Sequence, residues 1–385
     1  MMSPLSYALD PQADLELVLH KPNAQVLLPL FASMSLTTAA SNQAFRELAT
    51  KLSQRSRPIS TATAPAPNPF QPPLTTLSAN GVSNGTTLEF ASAYNITPNQ
   101  LEITQHSEVR FQVSSKHLKL ASPVFRAMLD GPWREGTASN GSCRSISASD
   151  WNKDALLILL NIVHGHHREV PKSLNLETLC KLATIVDYYK CHEIVEIFAD
   201  RWLRTMGNGM PTFHSPESTL CLCVAWVFRW PEQFECMTEL ALRHGEGLVE
   251  TTELPIAGIL ERIDEKRQNL ISRLLEAIDN LRSSLCNDED VCSFECSSML
   301  LGSLMKEMHK ISRLGPLPTK PYNGYSVEGL LQRISNIRSP QWYALRDLSS
   351  HKGRNRHSCN LMQKIQPILD DTEKRLHGWK LEDFS

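Results

Sequence analysis

The stretch FQVSSKHLKLASPVFRAMLDGPWREG, Phe111 to Gly136, reads as the end of a strand followed by two short helices. Val109, Phe111 and Val113 alternate with polar neighbours, the period of a half-buried strand. Ser114 and Ser115 then supply the cap signal of a short helix. Ser122 and Pro123 start a second, Val124 to Leu129, which Gly131 and Pro132 stop. Upstream, QADLELVLH at 12–20 sets Leu15, Leu17 and Leu19 against Asp14, Glu16 and Val18, which is again a strand, and Lys21, Pro22 and Asn23 form a turn.

Downstream, a Gly- and Ser-rich loop at Gly136 to Ser142 precedes a brief strand, Arg144 to Ala148. Asp150 is positioned to cap a helix reaching about His164, and its apolar segment Ala155 to Leu160 belongs in the centre of a core. Leu176, Leu179, Leu182, Ala183 and Val186 mark one face of the next helix. Ile194, Ile197, Phe198 and Trp202 mark a face of the one after. The core set drawn from these patterns is Leu118, Phe125, Leu157, Leu160, Leu182 and Phe198. Beyond Pro211 the periodicity predicts helices only: Ser218 to Arg229, Pro231 to His244, Pro255 to Leu285, Ser298 to Ile311, Ser326 to Ile337 and Leu361 to Leu376. Within the long one, Leu260, Ile263, Leu270, Leu274, Ile278, Leu281 and Leu285 make a seam at three- and four-residue spacing that could pair with a neighbouring chain but is expected to pack inside its own domain.

Composition narrows the function classes. A chain of 385 residues has material for two or three domains. Its 39 Lys and Arg nearly balance 41 Asp and Glu, so no global field gathers nucleic acid or anionic lipid, and a charge-driven function has to be local. The apolar run Val26 to Leu36 is far shorter than the ~20 residues of a bilayer crossing. Asp10, Asp14 and Glu16, without a basic lead-in, do not build a secretory signal. The expectation is a cytoplasmic or nuclear protein whose ten cysteines are reduced thiols, either buried or ligating metal. Between Arg57 and Glu89 there is no charged residue, while Pro58, Pro65, Pro67, Pro69, Pro72 and Pro73 accumulate among Ser, Thr and Asn. Such composition cannot offset its ordering entropy, so 24–105 reads as a disordered linker, with one marginal helix at Asn42 to Ser53.

The string from Phe111 to Gly136 resembles the signature of a BTB/POZ domain, most closely that of the large fungal BTB-domain family. The likeness continues through ILLNIVHGHHREVP (Ile158 to Pro171) and LCKLATIVDYYKCHEIVEIFADRWL (Leu179 to Leu203), and into CVAWVFRWPEQF, CSSMLLGSLMKEMHK, RISNIRSPQW and HSCNL. It implies an α+β fold, a small β-sheet capped by helical hairpins, followed by an all-α C-terminal domain. The division is then 1–23 first strand region, 24–105 insertion, 106–207 BTB/POZ domain and 208–385 helical domain. In that family a strand like DLELVL leads directly into one like FQVSSKHL, so the resemblance implies that Asp14 to His20 pairs with Val109 to Val113 across the insertion. Loop closure cost grows only logarithmically, so an insertion at a hairpin tip is tolerable. The competing reading is that this segment is untranslated sequence wrongly kept in the deduced reading frame.

The resemblance also implies function: protein–protein interaction by dimerisation or scaffold docking, with the helical half as client-binding or structural partner. In ubiquitin-ligase members a hydrophobic-x-Glu element after the second helix contacts a cullin scaffold. Trp133 and Glu135 hold that position here, against the simpler reading that Trp133 covers its own core edge. Independently of the resemblance, Cys292 and Cys296, with Cys286 before them, and His357 with Cys359 could converge as zinc ligands that clip the tail onto the helical half. C-x3-C then H-x-C is not a standard finger, and buried reduced cysteine is the competing reading. A structural zinc is the one cofactor these residues suggest. His164, His166 and His167 end a helix, where the dipole favours protonated imidazoles. His351, Lys352, Arg354, Arg356 and His357 are basic, which supports a nucleic-acid-associated regulator only weakly, because no aromatics interleave them and no DNA-binding motif is present. No nucleophile elbow, phosphate loop, H-E-x-x-H or dinucleotide fingerprint occurs, so the expectation is a protein without catalytic activity, bound to other proteins and to no membrane.

Overall fold

The computed structural model of the protein describes residues 5–28, 108–131, 144–251, 253–289, 291–313, 319–342 and 358–384. The helix expected at Asn42 to Ser53, most of the 24–105 linker and the Gly136 to Ser142 loop lie outside the described residues.

Four strands form one mixed sheet: β1 (Leu5–Ala8), β2 (Leu15–His20), β3 (Glu108–Val113) and β4 (Arg144–Ser149), in the order β1-β3-β2-β4. β2 runs antiparallel to β3 with Leu15 opposite Val113 and His20 opposite Glu108, the pairing that the likeness implied. On its other side β2 runs parallel to β4, and β3 carries β1 in parallel. The alternation decides the faces: Leu15, Leu17, Leu19, Val109, Phe111 and Val113 are buried, while Glu16 and Arg110 meet as an ion pair at 3.1 Å on the other face. β1 was not legible in the sequence. Its four residues, half-buried at best, are held by the ladder to β3 and by Tyr7 stacked on Phe111 at 5.4 Å.

The first residues of the expected linker, 24–28, pack on the fold. Gln25, Leu27 and Leu28 are buried, and the turn after β2 clamps the chain beyond β4: the Asn23 amide donates to the Trp151 carbonyl at 2.9 Å, and the Gln25 side-chain oxygen accepts from the Asn152 amide at 3.2 Å.

Among the described residues there are eleven α-helices, two between β3 and β4 and nine after β4: α1 (Ser115–Ala121), α2 (Pro123–Asp130), α3 (Lys153–Val163), α4 (Leu176–Tyr189), α5 (His192–Met206), α6 (Pro216–Val227), α7 (Pro231–His244), α8 (Ala257–Cys286), α9 (Phe294–Arg313), α10 (Val327–Ser335) and α11 (Leu361–Glu373). Their caps differ from the simplest reading at two places. At α1 the Ser114 side chain makes no cap bond, and the Asp14 carboxylate accepts from both the amide and the hydroxyl of Ser115, at 2.7 and 2.6 Å. Burial works against the Asp14 charge, but these two bonds outweigh it and hold the carboxyl below its ordinary range. At α3 the cap is Asn152, not Asp150, because Asp150 takes a left-handed turn (φ 69°) as the chain leaves β4. Ser122 caps α2 as expected, accepting from the Phe125 amide at 3.0 Å while its hydroxyl donates to the Tyr189 carbonyl at 2.5 Å.

Two members of the expected core are only half-buried. Leu118, Phe125, Leu160 and Leu182 are buried, but Leu157 and Phe198 are not fully enclosed, and Ile197 is 80% exposed. On α5 the inward line is Val195, Ala199 and Trp202, whose indole donates to the Pro171 carbonyl at 2.9 Å, and Phe198 sits on its border against the edge of His167.

The described residues belong to one compact unit. α6, apolar all round, lies against α4 across the expected junction at 207/208. α8 is the spine of the helical half, and its seam packs on α7, α9, α10 and α11. Sequence patterns did not single out Arg267 in that seam, yet it is 1% exposed. Its guanidinium pairs with Asp264 at 2.8 Å and donates to the carbonyls of Pro321, Tyr322 and Tyr325 at 2.7–3.0 Å, so a charge inside the core is fully partnered and ties down the turn before α10. The C-terminal residues cross α7 closely enough that a Cβ on Gly378 would stand 2.0 Å from the Glu235 carbonyl oxygen, which only glycine allows. Lys266 and Arg262 cover the rings of Trp379 and Phe384 there, each at 4.3 Å.

Leu118→Ala and Leu182→Ala are expected to destabilise by ~2–5 kcal/mol, and Ile197→Ala by no more than ~0.5 kcal/mol; urea unfolding of the three variants compares them directly. Arg267→Met, which takes a charged donor away from three carbonyls and leaves Asp264 without its cation, should cost ~3 kcal/mol or more in the same assay. His164 accepts from the Ser114 amide through Nε2 at 2.9 Å, so its proton is on Nδ1, donated to the Leu160 carbonyl at 2.8 Å. Burial lowers its pKa, and burial does the same at His214 and His244. His164 is thus not the protonated imidazole at a helix end that the dipole suggested. Below the ordinary value of 6.5 the unfolded chain takes up protons that the fold resists, so stability present above that pH is lost on acidification. A urea midpoint at pH 5.5 equal to or above that at pH 7.5 would contradict this.

Candidate functional site

An open cleft of about 470 Å³ lies where β4 runs into α3, lined by Met128 of α2, Trp151, and Tyr188 and Tyr189 at the end of α4, with His20 and Glu253 beside them. Each wall follows from the local chain. The left-handed turn at Asp150 and the Asn23 clamp set Trp151 between strand and helix. Lys190, also left-handed (φ 54°), ends α4 directly after the tyrosine pair. Tyr189 points inward, stacked on Phe125 at 4.2 Å. Its neighbour Tyr188 is 58% exposed and meets Trp151 edge to face at 5.3 Å. Large amphipathic rings at the surface of a concave, half-open wall supply apolar area at low entropic cost, and the exposed Tyr188 adds a hydroxyl that can orient a partner.

The rings of the cleft are uncharged, and Asp150 and Glu253 add two carboxyl groups to its lining. Burial raises the Tyr189 phenol well above its ordinary value and pushes the Cys191 thiol behind it up to about 11, so neither ionises near neutral pH. Burial also raises the Glu253 carboxyl, partly offset by the Val26 amide donating to it at 3.1 Å. The sequence offered a faint signal here, a tyrosine doublet at a helix end and a lone tryptophan between strand and helix. Which of the two tyrosines faces outward depends on the packing of α2 against α4.

The two residues expected to contact a partner, Trp133 and Glu135, lie outside the described residues, as do His357 and the basic cluster 351–356. The remaining expected metal ligands do come together: the Sγ atoms of Cys292, Cys296 and Cys359 all lie within 4.8 Å of one another. Cys292 stands just before α9, Cys296 is buried in its first turn, and Cys359 comes from the segment that enters α11. The Ser293 hydroxyl accepts from the Cys296 amide at 3.3 Å, and the Ser297 hydroxyl donates to Asp288 and to the Phe294 carbonyl, so the turn that carries the first two thiols is pinned. Burial first, then the neighbouring Cys359 and Cys292 thiols, push Cys296 up to about 12. Cys286, which ends α8, is not part of this group.

Cys180, Cys191, Cys221 and Cys223 are core residues, whereas Cys236 and Cys286 are exposed. Cys221 and Cys223 are fully buried on α6; burial pushes the Cys221 thiol up to about 12, and a hydrogen bond with Cys180 raises that of Cys223. Among the described residues no helix is long and apolar enough to cross a membrane. No protein-family model matches the chain, and no curated protein matches it.

Proposed function

We infer that the chain is a protein–protein interaction module: a BTB-type sheet-and-helix unit in its first half docks on other proteins, by self-association or on a scaffold of the cullin kind, and the helical half presents a second surface. The observation that carries this reading is the cleft at Trp151 and Tyr188. Tyr188 leaves more than half its surface in solvent at a concave site, although partners for an aromatic ring are at hand in the neighbouring core. Leu120 on α1 and Ile197 on α5, each 80% exposed, add apolar surface to the same half of the chain. An interface needs a few anchoring rings in a pocket rather than a charged field, and the near-neutral charge of the protein suits that. The reading gives the chain no catalytic step.

Sedimentation velocity across a wide concentration range is expected to show a reversible dimer, or a one-to-one complex with a purified cullin amino-terminal segment. The combined change Trp151→Ala and Tyr188→Ala should weaken that association by ~2 kcal/mol or more while the urea midpoint stays close to that of the parent. A chain that remains monomeric and binds no such scaffold overturns the reading. Retention on DNA at low salt, lost steeply as salt rises, would replace it with a nucleic-acid function.

A further inference from the structure

We propose that Cys292, Cys296 and Cys359 bind a thiophilic divalent cation, zinc by its chemistry, which fastens the segment entering α11 to the start of α9. The inference is independent of the docking cleft and goes beyond it.

Three facts carry it. First, the three sulfurs are mutual neighbours within 4.8 Å although they come from two stretches of chain separated by α9, α10 and the residues between them. A tetrahedral zinc–thiolate site with bonds of ~2.3 Å has sulfur–sulfur edges of ~3.8 Å, so the triad needs to contract by about an ångström at most. A disulfide would need ~2.05 Å between one pair and would leave the third sulfur with no role. Second, Cys292 stands two residues before α9 and Cys296 lies in its first turn, so one short pinned piece of chain carries two of the three sulfurs. Third, both ends of the clip are otherwise held by polar bonds that fix the backbone and leave the sulfurs to converge. The Asn360 side chain accepts from the Met362 amide at 2.9 Å, and the Ser339 hydroxyl accepts from the Leu361 amide at 2.9 Å. α9 and α11 each pack on α8, so the sulfur cluster closes a loop around the spine of the helical half.

The chemistry is simple ligand exchange. Each thiol gives its proton to solvent and donates a sulfur lone pair to the cation, the cation sheds water, and no electron is transferred. Cys292 is exposed and Cys359 partly so, which gives the ion an entry path, while Cys296 is buried beneath them. The fourth corner of the tetrahedron belongs to a ligand beyond this triad.

The test uses the full chain, purified under reducing conditions without chelator. Elemental analysis is expected to find about one equivalent of zinc. Cobalt added after zinc removal should produce the near-ultraviolet thiolate-to-metal band together with the visible bands of a tetrahedral ion. Cys292→Ser and Cys359→Ser, at the more exposed positions, should each weaken cobalt binding about tenfold or more and keep the circular dichroism of the parent. Cys236→Ser, at an exposed thiol on α7, should leave it unchanged. Zinc below about a tenth of an equivalent together with no thiolate band from cobalt overturns the proposal. So does a cobalt spectrum that survives Cys359→Ser intact, and so does a protein isolated without reductant in which two of the three cysteines are joined and no metal is bound.

Discussion

β2 is the strand on which the sheet depends. It holds β3 on one side and β4 on the other, and β4 has no other neighbour among the described strands. The backbone groups of β2 are therefore satisfied on both edges, and Leu15, Leu17 and Leu19 are fully enclosed. The strand brings Asp14 to the start of α1 and the 21–25 turn to the start of α3, so two helices take their direction from residues that precede the long intervening segment. Remove that strand and β3 keeps only a four-residue partner.

Buried polar groups do the positioning that apolar contact cannot. Ser122 links α2 to the end of α4 through one hydroxyl that both accepts and donates, and so it fixes Tyr189 inward and Tyr188 outward. Arg267 serves the same purpose in the helical half, where one guanidinium organises three carbonyls of an irregular turn around α8. Apolar packing is tolerant of small slips, whereas a hydrogen-bonded group buried without its partner costs ~1–3 kcal/mol, so these few bonds discriminate between neighbouring arrangements of otherwise interchangeable helices.

The aromatic cleft and the sulfur triad sit on opposite kinds of scaffold. The cleft is built where strand, turn and helix ends meet, which leaves rings partly in solvent and ready for exchange with a partner. The sulfur triad joins two helix starts on one spine, a place suited to fastening and not to exchange. The proposed docking role would gain from such a division, because a binding face can adapt only if the body behind it does not.

Much of this architecture is a property of local sequence. Period-two alternation marked β2 and β3, three- and four-residue spacing marked every long helix to within a few residues, and Ser122 announced its cap. These signals are local because backbone hydrogen bonding and one-sided burial repeat along the chain. The sequence alone also brought forward Cys292, Cys296 and Cys359, since soft ligands spaced for a helix turn are uncommon. What it could not show was set by distant partners: β1, whose four residues acquire strand geometry only beside β3; Asp14, which displaces Ser114 as a cap from across the sheet; Arg267, whose charge is tolerable inside only when three remote carbonyls face it; and Tyr188, whose exposure depends on which way α4 is rolled by Ser122 and Phe125. Tertiary structure decided these because each is a matter of which neighbour arrives from far along the chain, and no periodicity encodes that.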